Sequence, residues 1–290
     1  MRRGPGDLAV TLDAARLAMG TLTVLRVRPP GTVDRGVGGR AMVLAPVVGG
    51  LLAIVSGLAL WLLGWGPPGR SPLLSAVLGL PAFDVRVHPL LASALVVALL
   101  AALTRAMHLD GLADTADGLG SGRPPAEALE VMRRGDVGPF GVVTLVLTLL
   151  VQVLALGVLV AGGLGIAGLA LALVVSRLAL PLLCSRGVPA ARRDGLGQVV
   201  AGSVSRGQLL LAAVLAVVVL VALSLVSPGL QSLGVETVVR AGVVSGLALL
   251  ATGLFARHAV RRLGGVTGDV LGAAVEVTFT VVLVVLTVAA

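Results

Sequence analysis

Apolar residues in this chain come in long runs, not in the strict alternation of strands or the one-sided stripes of soluble helices. Seven runs stand out, at about 41–64, 89–109, 138–160, 163–184, 208–227, 237–256 and 270–290. Each is long enough to cross a bilayer as a helix of about 20 residues. Gly and Pro mark several ends, at Pro67-Pro68, Gly162-Gly163 and Pro228-Gly229. The Gly162-Gly163 turn is so short that the third and fourth spans form an antiparallel pair. Ahead of the first run, residues 8–22 are mixed. Leu8, Leu12, Ala15, Met19 and Leu22 share one helical face, with Asp13 and Arg16 off it. That pattern predicts an interfacial helix lying on the membrane. The predicted fold class is all-α. It is a polytopic integral membrane helix bundle of about seven transmembrane helices plus an N-terminal interfacial helix, a single domain over 1–290.

Composition agrees with the pattern. Of 290 residues, 57% are apolar and 12% charged, with mean hydropathy +1.06. A soluble domain is about 45–50% apolar and about 25% charged. The single Cys184 has no internal disulfide partner, and no Cys/His spacing suits zinc. The net charge of +8 rests on 22 basic residues, all arginine. In so apolar a chain it speaks for orientation in a lipid bilayer and against nucleic-acid binding.

Arginines counted loop by loop give that orientation. Seventeen fall on the N-terminal arm and the loops at 110–137, 185–207 and 257–269. Arg70, Arg86 and Arg240 fall on the opposite side, and Arg105 and Arg177 inside spans. The positive-inside rule therefore places the N-terminus and the Arg-rich loops in the cytoplasm. Trp61 and Trp65 then mark the outer end of the first span. Among 14 acidic residues only Asp84 and Glu236 are expected outside, so a site built on carboxylates faces the cytoplasm.

The stretch His108-Leu-Asp-Gly-Leu-Ala-Asp-Thr-Ala-Asp-Gly118 concentrates them. On a helix, Asp110, Asp114 and Asp117 fall within about 60° of one another. Gly111 and Gly118 occupy a neighbouring strip, where a ligand or another helix can approach the backbone; both are candidate substrate contacts. His108 points away. Three carboxylates on one face repel and are costly at a membrane boundary, so a cation is expected to offset them. Mg²⁺ fits, because it takes oxygen ligands and bridges carboxylates to phosphates. Asp110, Asp114 and Asp117 are the candidate ligands, and Asp117 and Asp114 the candidate catalytic groups, Asp117 as general base. A solvated acidic helix end is the plainer alternative.

A second group sits at the last span, in Gly264-Gly-Val-Thr-Gly-Asp269-Val-Leu-Gly-Ala-Ala-Val-Glu276. Asp269 is either an N-cap or a substrate contact. Glu276 lies two turns into an apolar helix on the same face, and an intramembrane carboxylate is a functional candidate by default. Arg177 is a candidate phosphate anchor, with a structural ion pair the alternative. Arg192, Arg193 and Arg206 flank Asp194-Gly-Leu-Gly197 and are candidates to bind an anionic substrate or lipid headgroups, Arg193 foremost, with membrane topology alone the alternative. Asp136 suits a cap or turn.

These residues resemble a known family. His108–Gly118 is similar to the signature of the cobalamin synthase (adenosylcobinamide-GDP ribazoletransferase) family, and Leu263–Glu276 to that family's C-terminal motif. Ser176-Arg177, Gly195-Leu-Gly197 and, more loosely, Leu22–Pro29 match shorter features, so the resemblance spans almost the whole chain. It implies a Mg²⁺-dependent, multi-pass enzyme of the bacterial cytoplasmic (inner) membrane. The implied reaction joins adenosylcobinamide-GDP to α-ribazole, or to α-ribazole 5′-phosphate. It gives adenosylcobalamin or its 5′-phosphate, and GMP, late in cobalamin assembly. A homo-oligomer stays open. One segment departs: the family pattern Met-Arg-Asp-Ser-Arg-x-Gly is Met132-Arg-Arg-Gly-Asp-Val-Gly138 here, which weakens a ligand role for Asp136. A CDP-alcohol phosphotransferase would need an Arg that is missing near Asp114. A cation-coupled transporter would need carboxylates at mid-bilayer, where only Glu276 is expected.

Overall fold

The computed structural model describes residues 5–66, 86–226 and 235–289. The turns expected at Pro67-Pro68 and Pro228-Gly229, together with Arg70 and Asp84, lie outside the described residues. Among the described residues every element is helical. After α1 (Pro5–Leu22), six of these helices are long and apolar enough to cross a membrane. They are α2 (Arg35–Leu60, closing in a π-helical turn, Trp61–Trp65), α6 (Pro139–Ala161), α7 (Gly165–Leu183), α9 (Arg206–Val226), α10 (Val235–Leu263) and α11 (Gly268–Ala289). Shorter helices lie between them: α3 (Pro89–Leu103), α4 (Met107–Gly120), α5 (Pro125–Val131) and α8 (Gly195–Val200).

The helices start where the sequence supplies a start. Asp34 accepts from the Val37 N–H at 2.8 Å to cap α2, while Pro89 and Pro139 open α3 and α6. Within lipid a helix satisfies its own backbone groups, so Leu-, Val- and Ala-rich runs need no further partner. α7 is buried along almost its whole length, between α2 and α11. α6, α9 and α10 turn most of their apolar side chains outward, as lipid-facing helices do.

The buried apolar residues form two layers along the bundle. One joins α1, the first half of α2, the end of α7 and the start of α11. The other joins the far half of α2, α3, the far half of α6, the start of α7 and the second half of α11. At the far end the Trp65 indole donates to the Val87 carbonyl at 2.7 Å, and Arg86 lies over the Trp65 ring, 5.4 Å from its centre. These contacts bring the start of α3 back to the end of α2.

Two expectations are corrected. The second apolar run does not continue to residue 109: α3 ends at Leu103, and α4 leaves at 89° to it. α3 has 15 residues and is about 22 Å long, so it reaches only part of the way through a hydrocarbon core of about 30 Å. The N-terminal helix also docks by a different face. Ala14, Leu17, Ala18 and Leu22 are buried in the bundle, while Leu8 and Leu12 stay exposed. Asp13 accepts from Arg16 at 3.0 Å and from the Thr32 N–H at 3.3 Å. Hydrogen bonding from the Gly31 backbone is the main cause that holds its carboxyl below the usual range.

Candidate active site

The corner between α3 and α4 sets the site. Arg105 and Ala106 both have positive φ, at 55° and 53°, a conformation costly for residues with a Cβ. Tertiary bonds hold it. The Val24 N–H donates to the Leu103 carbonyl and the Arg105 guanidinium to the Gly20 carbonyl, each at 2.7 Å. The end of α1 thus grips the corner, and α4 turns out of line with α3 to lie against α6 and α11.

The three aspartates of α4 then separate in role. Asp110 is exposed and lines a cleft. Asp114 is half-buried, and the charges of Asp110, Asp117 and Asp269 act on it together with that of Arg192. Asp117 is buried, and both its oxygens accept backbone N–H groups: Oδ2 from Gly138 at 2.8 Å, Oδ1 from Gly141 at 2.9 Å. It caps the first turn of α6 from another helix, where N–H groups lack intrahelical partners. The segment that carries Asp136 therefore meets the aspartate helix through Gly138, and Asp136 itself is exposed.

Gly111 and Gly118 are approached by protein. A Cβ on Gly111 would lie 2.7 Å from the Asp269 carbonyl oxygen, and one on Gly118 2.6 Å from Met132 Cγ. Both are buried against α11 and the end of α5, so of the two approaches their position allows, the structure shows that of a neighbouring helix.

Beside α4 in the cleft lining, the loop after α7 and the loop before α11 are stitched together. The Ala191 N–H donates to Val266 O at 3.0 Å, and the Val266 N–H to Pro189 O at 2.9 Å. Thr267 caps α11 by accepting from the Val270 N–H at 3.2 Å, so Asp269 is not the cap. Asp269 instead sits in the first turn, lines the cleft, accepts from the Thr267 hydroxyl at 3.1 Å and faces Arg192 at 3.6 Å. Arg192 also donates to the Leu129 carbonyl at 2.7 Å, and its buried Nε has no hydrogen-bond partner. Arg193 is exposed, and of the three arginines that flank Asp194–Gly197 only Arg192 lines the cleft. Arg133, which pairs with Asp194 at 2.7 Å, also lines the cleft.

The cleft has a volume of about 430 Å³. Its charged lining carries Asp110, Asp194, Asp269, Arg192 and Arg133. Leu22, Met42, Met107, Leu180 and Leu271 supply an apolar wall. The part played by α1, through Thr21 and Leu22, had no signal in the sequence beyond helical periodicity.

Glu276 and Arg177 do not open on this cleft. They line a separate chamber of about 30 Å³ deeper in the bundle, with Gln152 and Thr104. His108 lines both spaces. The sequence placed it on the far side of the helix from the aspartates, and the break before α4 gives it this position between the two.

The sequence profile of the family described as cobalamin-5-phosphate synthase matches residues 14–287. A Nocardioides sp. protein named adenosylcobinamide-GDP ribazoletransferase is 42% identical over 276 residues, covering 93% of this chain and 96% of its own length. Proteins of the same name from Frankia casuarinae and Corynebacterium efficiens are 37% and 34% identical. They cover 94% of this chain each, and 93% and 90% of their own lengths. No solved structure matches the chain significantly.

Proposed function

The chain belongs to the cobalamin-5-phosphate synthase family, and from that premise we propose how its cleft carries out the ribazoletransferase reaction. The protein is a membrane-embedded transferase of cobalamin biosynthesis. It transfers the adenosylcobinamide-phosphate moiety of adenosylcobinamide-GDP to α-ribazole or its 5′-phosphate. A ribose hydroxyl oxygen attacks the phosphorus linked to cobinamide. The bond from that phosphorus to the oxygen bridging to GMP breaks, GMP leaves, and the hydroxyl proton passes to a base.

The observation that carries the site assignment is the meeting of Asp110 with Asp269 and Arg192 at one cleft wall. Arg192 and Arg133 would hold phosphate oxygens in charge-assisted hydrogen bonds. Asp114, half-buried beside Asp110 and not itself part of the cleft wall, would take the proton through Asp110 or water, since Asp117 is committed to the start of α6. The apolar wall would receive flat, uncharged parts of the substrates. A cleft of about 430 Å³ is smaller than a corrinoid nucleotide, so the macrocycle would rest at its mouth.

The donor set also suits Mg²⁺. Among the described residues no group of three or more His, Cys, Asp or Glu is placed to hold a metal ion, so Asp110, Asp114 and Asp117 do not form the expected three-ligand set. Mg²⁺ commonly uses one or two carboxylates and completes its shell with water and substrate phosphates. Asp110 and Asp269 would supply those carboxylates. Bound there, the ion would neutralise charge on the pyrophosphate.

The cytoplasmic orientation belongs to the same proposal. It is supported by the arginines gathered on the faces that carry α4, α5 and α8. Purified protein given adenosylcobinamide-GDP, α-ribazole and Mg²⁺ is expected to release GMP and adenosylcobalamin in equal amounts, and EDTA to stop it. Turnover of a CDP-alcohol pair in place of these substrates would overturn the proposal.

A further inference from the structure

Arg177 and Glu276 take no part in the chemistry above, yet they are costly to keep. Both lie in the middle of spans. On α7, Leu169–Leu173 and Val175 belong to one apolar layer and Ala179, Leu180 and Leu183 to the other, with Arg177 between them. On α11, Val270–Val275 and Phe279–Leu283 flank Glu276 in the same way. The two charged residues therefore share one polar level between two apolar layers.

At that level four helices bring polar side chains to the small chamber, Gln152 from α6, Arg177 from α7, Glu276 from α11 and His108 from α4, while α3 adds apolar ones. The Gln152 amide donates to Glu276 Oε2 at 2.8 Å and to the Thr280 hydroxyl at 2.9 Å. Arg177, 3% exposed, donates to the Ser176 hydroxyl at 2.9 Å. Its charge and that of Glu276 act on each other, but no direct ion pair joins them. Two buried nitrogens facing this level, Arg177 Nε and His108 Nε2, have no hydrogen-bond partner. Buried polar atoms are rarely left in that condition, and an isolated buried charge less often still. The chamber of about 30 Å³ has room for a water, with more than the two polar partners a buried water needs.

We propose that this chamber is a hydration site in which water bridges Arg177, Glu276 and His108, and that the hydrated pair is a positioning device for the cleft above it. His108 is the link. It lines both spaces, and its backbone packs against α11, where a Cβ on Gly272 would lie 3.2 Å from His108 Cα. Asp110 follows two residues later on the same helix. Loss of the bridge would let α4 shift against α11, and with it Asp110 against Asp269. Arg177 and Glu276 thus act through α4 and do not touch substrate. The kinetic half of the inference rests on the ribazoletransferase reading.

The test compares Arg177→Gln, Glu276→Gln and the double variant in full-length protein, by Tm, kcat and KM. Each single variant leaves one buried charge uncompensated and is expected to lower Tm. The double variant removes both charges and is expected to regain Tm, while kcat stays down about tenfold with KM little changed, the scale of a small misplacement. A double variant with wild-type kcat would overturn the positioning role. Should the single variants fail to fold, the double variant and Glu276→Asp carry the comparison. Solvent density between Arg177 and Glu276 in a high-resolution structure is expected; a direct ion pair there would overturn the hydration site. Wild-type protein inactive on adenosylcobinamide-GDP would instead count against the reaction, with the density still deciding the chamber.

Discussion

Asp117→Ala separates the two roles open to the third aspartate of α4. The side chain is buried, and its oxygens hold the Gly138 N–H at 2.8 Å and the Gly141 N–H at 2.9 Å. Replacing a capping side chain by Ala costs about 0.5–2 kcal/mol, and a hydrogen bond to a charged group is worth about 1.5–3 kcal/mol. With two such bonds, and the Gly141 donor left buried, the loss should be about 3 kcal/mol. In Asp117→Asn the amide accepts from one donor and turns its own N–H groups on the other, so about half that loss should remain. Cys184 supplies the assay. It is the chain's single cysteine and is buried, so a thiol-reactive dye reports unfolding in detergent. Stability should fall in the order wild type, Asn, Ala, while kcat per folded molecule stays within about threefold. A catalytic base would behave otherwise, losing about 10²–10⁴-fold in rate. Unchanged stability with such a loss would refute the capping role.

Three further outcomes follow from the geometry. Gly111→Ala would place a Cβ 2.7 Å from the Asp269 carbonyl oxygen, so α4 and α11 must separate. Stability should drop by roughly 1–3 kcal/mol, with loss of GMP release; a wild-type Tm would contradict the close approach. Ala106→Gly should raise stability by about 0.5–1 kcal/mol. It relieves about 1–2 kcal/mol of left-handed strain against a smaller gain in unfolded-state entropy, and a fall in Tm would contradict the corner. For orientation, a Cys184→Ser background carrying Leu164→Cys or Arg193→Cys can be treated on intact cells with an impermeant maleimide. Leu164, exposed in the turn between α6 and α7, should label and Arg193 should not; the reverse would invert the topology.

Much of the bundle was legible because uninterrupted apolar runs have few other ways to fold. The spans α2, α6, α7, α9 and α11 lie close to where hydropathy put them. α10 continues to Leu263 because its last turns, carrying Arg257, Arg261 and Arg262, are helical but not apolar. The corner at Arg105 was not legible. It contains no Gly or Pro, and what bends it comes from Gly20 and Val24, far away in sequence. Helical spacing put the aspartates within one sector of α4, but could not show that Gly138 and Gly141 approach Asp117, or that Asp110 alone of the three lines the cleft. The same limit explains Glu276. It shares a face with Asp269, but seven residues are about 10 Å along a helix, enough to put the two in different cavities. Arg192 and Arg193 lie in a loop without periodicity, and it is Arg192 that turns inward, to the Leu129 carbonyl and Asp269.

The most direct measurement is turnover against Mg²⁺ concentration for wild type, Asp110→Asn, Asp269→Asn, Asp114→Asn and Asp117→Asn, each corrected for folded fraction. Asp110→Asn and Asp269→Asn should need much more Mg²⁺ to reach half-maximal rate. Asp114→Asn should lose kcat at every concentration, and Asp117→Asn should follow wild type once corrected. If Asp117→Asn alone shifts the Mg²⁺ dependence while Asp110→Asn and Asp269→Asn leave it unchanged, the metal lies elsewhere and the cleft assignment fails.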